Sequence, residues 1–168
     1  YNVTIFSSNA GGFGQATLVL DFAATAITLA QALDVPADQP IPFESYQVST
    51  PFFGQSTTTH DGVDAAQSAA IGNSATSDFV TYVYGPGTLT FWWKVSSQAG
   101  SDYLRFHISD QEVAGVPGIS GEVGWQLKTV PIPTGAFPLR WIYEKDAAGE
   151  NGADAGWVDQ ITFLPSLA

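Results

Sequence analysis

Apolar and polar residues alternate with a period of two in several short blocks of this chain. In the block Thr88–Ser96, every odd-numbered residue is apolar and every even-numbered residue is polar except Trp92. The blocks Tyr103–Ser109 and Leu139–Glu144 alternate in the same way. This period is typical of β-strands that turn one face toward a core and the other toward solvent. Two sheets packed face to face are therefore predicted.

The same pattern, interrupted by turn-forming residues, predicts strands at a spacing of roughly 8–12 residues. The predicted strands are Ser45–Thr50, Gln67–Ile71, Phe79–Tyr84, Thr88–Ser96, Tyr103–Ser109, Trp125–Val130, Leu139–Glu144 and Trp157–Leu164. The tripeptide Gly85-Pro86-Gly87 predicts a turn, because proline fixes φ between two permissive glycines. The predicted fold class is all-β, an antiparallel β-sandwich of the jelly-roll type with an N-terminal β arm.

The first part of the chain has a different organisation. The stretch Tyr1–Phe22 is predicted to form a hairpin, and Ala23–Leu33 is read as a strand, although its alanines also permit a helix. The segment Asp34–Pro42 contains three prolines and is predicted to be a linker. We therefore divide the chain into an arm, residues 1–33, and a jelly-roll sandwich, residues 34–168.

The arm has two possible roles. Its segment Gln15–Ala30 is apolar and prone to form strands. It either completes the sandwich of its own chain or adds as a strand to a neighbouring copy, which repeated head to tail would build a filament.

Charge excludes several classes of partner. Only 12% of the residues are charged, and the formal net charge is −11. Nucleic acids and anionic membrane surfaces are therefore disfavoured, whereas divalent cations and neutral ligands remain compatible. The absence of cysteine excludes disulfides and zinc–thiolate sites.

Catalytic motifs are missing from the sequence. The chain has only two histidines, His60 and His107, and it lacks a G-x-S-x-G elbow. Its carboxylate pairs match no recognisable glycosidase pattern. We expect no enzymatic activity.

Asp159 is the most unusual acidic residue. The period of two places it on one strand face with Trp157, Ile161 and Phe163, which is expected to point into the core. An inward carboxylate costs several kcal/mol unless it is paired, hydrogen-bonded or bound to a metal ion. Two interpretations stay open: a metal ligand, or a carboxylate at the sheet rim that accepts hydrogen bonds from loop amides.

Other acidic residues are predicted near strand ends. They are Asp102, Glu144, Asp146 and Asp154. Clustered hard oxygen ligands suit Ca²⁺, so these four residues and Asp159 form the predicted metal site. The alternative is a solvated acidic loop end, which the net charge also favours.

Aromatic residues outside the core pattern are candidate ligand platforms. Trp92 lies on the polar face of its strand, and Tyr103 and Trp125 are weaker candidates of the same kind. Such rings can stack on a sugar or on a partner chain. Alternatively, a loop or the arm covers Trp92.

Several blocks resemble a repeated module of large bacterial surface and secreted proteins, related to the cleaved-adhesin and MAM-type jelly rolls. The resembling blocks are His60–Ser68, Gly85–Ser97, Asp102–Phe106, Ile119–Gln126, Leu139–Asp146 and Ala155–Phe163. The resemblance covers about Ala32 to Pro165 and implies a non-catalytic, secreted or cell-surface module that often holds calcium. The stretch Tyr1–Phe22 instead resembles the last hairpin of an immunoglobulin-like repeat.

Two functions follow as hypotheses. The first is an extracellular structural or adhesive module that self-associates through its arm or packs against neighbouring domains of a larger surface protein. The alternative is a carbohydrate-binding accessory module of a secreted enzyme, with a glycan as partner.

Overall fold

The computed structural model describes residues 2–19, 26–36 and 50–166. Within them the chain forms nine strands and one short helix. The elements are β1 (Asn2–Asn9), β2 (Gly12–Val19), α1 (Leu29–Ala32), β3 (Phe53–Gln55), β4 (Ala65–Gln67), β5 (Thr76–Ser96), β6 (Tyr103–Ile108), β7 (Gln111–Glu112), β8 (Glu122–Glu144) and β9 (Ala155–Pro165).

The N-terminal hairpin forms as predicted. Strands β1 and β2 pair antiparallel from Asn9 opposite Gly12 to Asn2 opposite Val19. They form a two-stranded sheet that is separate from the main sheet.

Helix α1 lies within the segment for which a strand was expected, so that prediction is wrong for the residues of the helix. The reason is a capping box: Thr28 Oγ1 accepts a hydrogen bond from the Gln31 amide, and Gln31 Oε1 accepts one from the Thr28 amide. Residues 20–25 of the expected strand lie outside the described residues.

The end of this segment packs into the sandwich. Ala32 and Leu33 are fully buried in its core, and Leu33 O accepts a hydrogen bond from the amide of Ile161. The division of the chain between residues 33 and 34 stays a prediction. Most of the proline-rich linker and the strand predicted at Ser45–Thr50 fall in residues 37–49, outside the described residues.

The main sheet has seven strands in the order β3-β4-β9-β5-β8-β6-β7, with antiparallel pairing throughout. Strands β5 and β8 are each as long as two predicted strands and pair over nearly their whole length. Separate strands on either side of Gly85-Pro86-Gly87 were expected, and that expectation is wrong. The glycines mark a shift in register between Gly85 and Gly87, across which pairing with β8 continues.

The long strands let one sheet supply both layers of a sandwich. The first half of β5 pairs with the second half of β8, which also carries β6, whereas the second half of β5 carries β9. Phe91, from the second half of β5, packs on Phe106 of β6 at 5.0 Å and on Trp141 of β8 at 5.3 Å between ring centroids. The two halves therefore face each other, which confirms the antiparallel β-sandwich.

Large side chains fill the space between the halves. Phe79 and Phe106 flank Trp141 along one half, with centroid distances of 4.9 and 4.8 Å. Phe91 and the three rings in contact with it, Trp93, Phe106 and Trp141, are fully buried, as is Leu104. Burial of each such side chain is worth about 1.5–3 kcal/mol relative to exposure, so this aromatic layer stabilises the fold substantially.

The remaining strand predictions are mostly confirmed. Strands β6 and β9 lie within a residue or two of their expected bounds, and β4 is shorter and begins earlier than expected. Strands β3 and β7 have two or three residues each and show no alternation that could predict them.

Candidate functional site

A β-bulge in β9 determines where Asp159 lies. Thr90 of β5 pairs with Thr162, but Trp92 pairs with Asp159, so β9 carries one extra residue between these pairs. Gln160 absorbs it with φ of +52°. Val158 and Ile161 both belong to the core although they are three residues apart, a spacing that would place them on opposite faces of a regular strand. The bulge therefore changes which residues of β9 point inward.

The prediction that Asp159 shares the core face with Ile161 and Phe163 is therefore wrong. Asp159 lies opposite Trp92, on the outer face of this half of the sheet. It is nevertheless fully buried. Another part of the chain must cover it.

The loop between β3 and β4 provides that cover through His60. The imidazole ring stacks on Trp92, with centroids 3.7 Å apart and planes at 18°, and meets Trp125 edge-on at 5.8 Å. Its Nδ1 lies 2.6 Å from Gln160 Oε1, within hydrogen-bond distance. The backbone amide of His60 donates to Asp159 Oδ2 at 2.7 Å. We call His60, Trp92, Trp125, Asp159 and Gln160 the outer-face cluster.

Burial controls the protonation of Asp159. Loss of solvent raises its pKa to about 6, hydrogen bonds from the amides of His60 and Asp61 oppose that rise, and the charges of Asp61 and Asp34 add to it. Its Oδ1 is buried and, among the described residues, has no hydrogen-bond partner.

Further carboxylates surround this position. Burial and the charges of Asp61 and Asp64 raise the pKa of Asp34. Burial and the charge of Asp61 likewise raise the pKa of Asp64, whose Oδ1 is also buried without a partner in the described part of the chain. Asp61 thus repels the other three carboxylates, and Asp34 repels Asp64 and Asp159. A bound cation would relieve that repulsion.

The fit to a calcium ion is partial. The two unpartnered carboxylate oxygens are the hard donors that Ca²⁺ prefers. However, among residues 2–19, 26–36 and 50–166, no three acidic or histidine side chains lie close enough together to hold an ion. An ion at Asp159 would need backbone carbonyls or water for the rest of its six to eight ligands.

Three of the other predicted metal ligands lie together around Lys145. Its side chain is fully buried and bonds to Asp154, whose Oδ1 accepts a hydrogen bond from the Tyr143 hydroxyl at 2.8 Å. Asp102 Oδ1 accepts from the Asp146 amide at 3.0 Å. Burial lowers the pKa of Lys145, but the hydrogen bond and charge of Asp154 outweigh that effect and raise it.

Glu144, the fourth, is engaged elsewhere by accepting a hydrogen bond from Arg105 Nε. The structure therefore separates Asp159 from the other four predicted ligands. Basic groups already neutralise Asp154 and Glu144.

The predicted aromatic platforms are separated as well. His60 brings Trp92 and Trp125 into one cluster, and both indoles remain half-buried. Tyr103 lies on β6, where the Arg105 guanidinium sits 4.2 Å from its ring centroid. Of the three predicted platforms, a single ligand at the outer-face cluster would therefore contact Trp92 and Trp125 but not Tyr103.

The arrangement offers little for proton-transfer chemistry. A carboxyl with a pKa of about 6 beside an imidazole has suitable acid–base properties, but Asp159 is sealed from solvent and His60 is stacked against Trp92. His107, the second histidine, lies on β6; burial lowers its pKa, the charge of Glu112 opposes this effect, and Arg140 adds to it.

Sequence reasoning missed the contribution of the loop that covers Asp159. The run His60-Asp61-Gly62-Val63-Asp64 carried a signal, since it places two carboxylates beside a histidine in a turn-rich stretch. Its position over Asp159 depends on tertiary packing across 99 residues, which no local pattern reveals.

Comparison with solved structures places this chain in a fold class. It matches the secreted serine protease VesC from Vibrio cholerae with a TM-score of 0.60 and 17% identity, over 98% of this chain but only 34% of the protease chain. It matches the K1 cleaved-adhesin domain of Lys-gingipain from Porphyromonas gingivalis W83 with a TM-score of 0.52 and 14% identity, over 79% of this chain and 94% of that domain.

A carbohydrate-binding module of the β-sandwich superfamily also matches, with a TM-score of 0.52, 14% identity and coverage of 98% of this chain and 73% of the module. No protein-family model and no curated protein matches the sequence. At these identities the likeness shows the fold: the chain is a jelly-roll β-sandwich related in structure to cleaved-adhesin domains. None of the helices in the described residues is long and apolar enough to cross a membrane.

Proposed function

We propose that this chain is a non-catalytic, extracellular adhesive or structural module of a larger secreted or surface protein. The observation that carries the proposal is the outer-face cluster, in which Asp159 is fully buried and its Oδ2 accepts a hydrogen bond from the His60 amide, while the His60 ring stacks on Trp92. The fold shared with a cleaved-adhesin domain supports the same class.

Calcium at Asp159 is part of this proposal. The ion would use the unpartnered Oδ1 of Asp159 and a neighbouring aspartate, and it would attach the loop that carries His60 to β9. The supporting observations are the buried oxygens and the mutual repulsion of Asp34, Asp61 and Asp159. A bound ion stabilises the folded state according to its concentration over its dissociation constant.

The experiment is thermal unfolding of the whole chain in calcium and in chelator, at fixed ionic strength. At a concentration 100 times the dissociation constant, calcium should raise Tm by about 5–10 °C. Asp159→Asn should abolish the shift. Asp102→Asn is the matched control, since Asp102 is also buried with an unpartnered oxygen; loss of the shift in this variant alone would place the ion near Lys145 instead.

Self-association through the arm is the second part of the proposal. Strands β1 and β2 pair only with each other within the described residues, and an isolated two-stranded hairpin is marginally stable in water. A neighbouring copy or domain would stabilise it. Light scattering should give a mass well above 17.8 kDa that falls to the monomer value when residues 1–25 are deleted. A monomeric full-length chain would contradict this part.

A second candidate function is carbohydrate binding, favoured by the position of Trp92 and Trp125 on one outer face and by the fold of the matching carbohydrate-binding module. If the chain binds a glycan, titration with that glycan should quench the tryptophan fluorescence of the protein. Trp125→Ala should weaken the binding. Leu164→Ala, an exposed apolar residue of β9, is the control.

A further inference from the structure

A half-open cavity lies on the outer face of the other half of the sheet, away from the outer-face cluster. Its volume is about 80 Å³, and its lining residues are Val80, Tyr82, Asp110, Pro138 and Arg140. Val80 and Pro138 supply apolar surface, Tyr82 an aromatic ring, and Asp110 and Arg140 charged groups. An apolar concave surface with a few convergent polar groups is the usual composition of a small-molecule site.

The polar end of the cavity is held in place before any ligand binds. The Arg140 guanidinium bonds through Nε and Nη2 to Asp78, whose side chain is fully buried. This leaves Nη1 directed toward Asp110, at 3.6 Å from its Oδ1. A donor oriented in this way loses little conformational entropy when a ligand binds.

Asp110 is positioned by its turn. Ser109 and Asp110 have φ of +50° and +61° between the paired residues Ile108 and Gln111, which defines a two-residue hairpin turn of the I′ type. The Ser109 amide donates to Pro138 O at 3.0 Å and attaches this turn to β8. The Asp110 carboxylate is 72% exposed, so it can accept hydrogen bonds from a ligand.

The aromatic side of the cavity continues along β5. Tyr82 is 45% exposed, and Tyr84, on the same face of the strand, is 79% exposed. Residues two apart on a strand are separated by roughly 7 Å. Two exposed rings beside a donor and an acceptor offer stacking surface for adjacent rings of an oligomeric ligand.

We propose that this cavity is a subsite for a neutral saccharide. The pyranose ring stacks on Tyr82, its hydroxyls donate to Asp110 and accept from Arg140, and an adjacent sugar unit contacts Tyr84. Arg140 faces the carboxylates of both Asp78 and Asp110, so it offers no uncompensated positive charge to an anionic glycan. The net charge of −11 also repels anionic glycans. The proposal rests on the carbohydrate-binding candidate function and moves binding to a different face from that of Trp92 and Trp125.

The test is affinity electrophoresis of the whole chain in gels that contain neutral polysaccharides (xylan, glucomannan, mixed-linkage β-glucan or galactan), with polygalacturonate as the anionic comparison. Tyr82→Ala should weaken binding at least about tenfold, and Asp110→Asn about three- to tenfold. Tyr82→Phe, which keeps the ring, should bind nearly as well as the native chain. Leu164→Ala serves as the surface control, and near-ultraviolet circular dichroism verifies that each variant folds.

Each other result has a distinct meaning. Binding that survives Tyr82→Ala but is lost in Trp125→Ala would overturn the subsite and keep the carbohydrate-binding function. Retention in polygalacturonate alone would overturn the neutral ligand class. Retention in none of the gels would overturn both the subsite and carbohydrate binding.

Discussion

Asp78 and Asp159 are both fully buried carboxylates, but within the described ranges only Asp78 has a basic partner, Arg140. Burial raises the pKa of Asp78, while the hydrogen bond and charge of Arg140 oppose that rise. Asp159 is approached only by amides and other carboxylates among the groups that shift its pKa. An uncompensated charge in a protein interior destabilises the folded state, so Asp159 should dominate the pH dependence of stability.

The sign of that dependence follows from linkage. The pKa of about 6 in the folded state lies above the ordinary aspartate value of 3.8, so between these pH values the folded state binds more protons than the unfolded state. In chelator, the free energy of unfolding should therefore fall as pH rises from about 4 to 6, by about 3 kcal/mol from this group. Urea unfolding at several pH values measures it.

Asp159→Asn removes this titration, so its stability should change less over the same range and should exceed that of the native chain at pH 7 in chelator. An equally steep profile in Asp159→Asn would show that the raised pKa values of Asp34 and Asp64, or other groups, cause the effect.

At the scale of elements, the close approach of β9 to β5 requires a glycine at position 87. A Cβ there would lie 2.5 Å from the Phe163 ring and 2.8 Å from Leu164 O on β9. Since the clash includes backbone, Gly87→Ala should lower the free energy of unfolding by about 1–3 kcal/mol. Gly124→Ala is the control, because a Cβ at that position meets nothing within 4 Å. Urea unfolding of both variants compares them; equal stability would contradict this role of Gly87.

The elements also show how far the sequence predicts the structure. Alternation predicted β6, β9 and the faces of Thr88–Ser96, because each strand buries one side. Alternation failed at Gln160, because a bulge inserts one residue there without a signal in the composition. It also failed at Gly85-Pro86-Gly87, where residues typical of a turn instead mark a register shift within one continuous strand.

Prediction of the candidate sites was weaker than prediction of the fold for a related reason. The local period predicts which face of the sheet a residue lies on, but it does not predict which other part of the chain packs over that residue. Asp159 and Trp92 are covered by His60, far away in the sequence. Asp110 and Tyr82 meet only because β6, β8 and β5 are neighbours in the sheet.

At the scale of the whole molecule, sixteen acidic residues against five basic residues give the folded chain a large net negative charge. Self-repulsion of net charge opposes the compact state, and salt screens it: the Debye length falls from about 30 Å at 0.01 M to about 10 Å at 0.1 M. General screening and the proposed calcium binding would both raise Tm, but calcium binding alone would require Asp159.

Screening should act on the native chain and on Asp159→Asn alike. We therefore expect Tm of both to rise by a similar amount between 10 and 300 mM NaCl, each in chelator. Millimolar CaCl₂ added at constant ionic strength should raise Tm further only where Asp159 is intact, and an equal concentration of MgCl₂ should raise it less, because Mg²⁺ requires near-octahedral geometry and gives up water reluctantly. Calorimetry of the two chains in the three salts separates the contributions. An identical calcium response in both would mean that the acidic surface as a whole, and not Asp159, binds the ion.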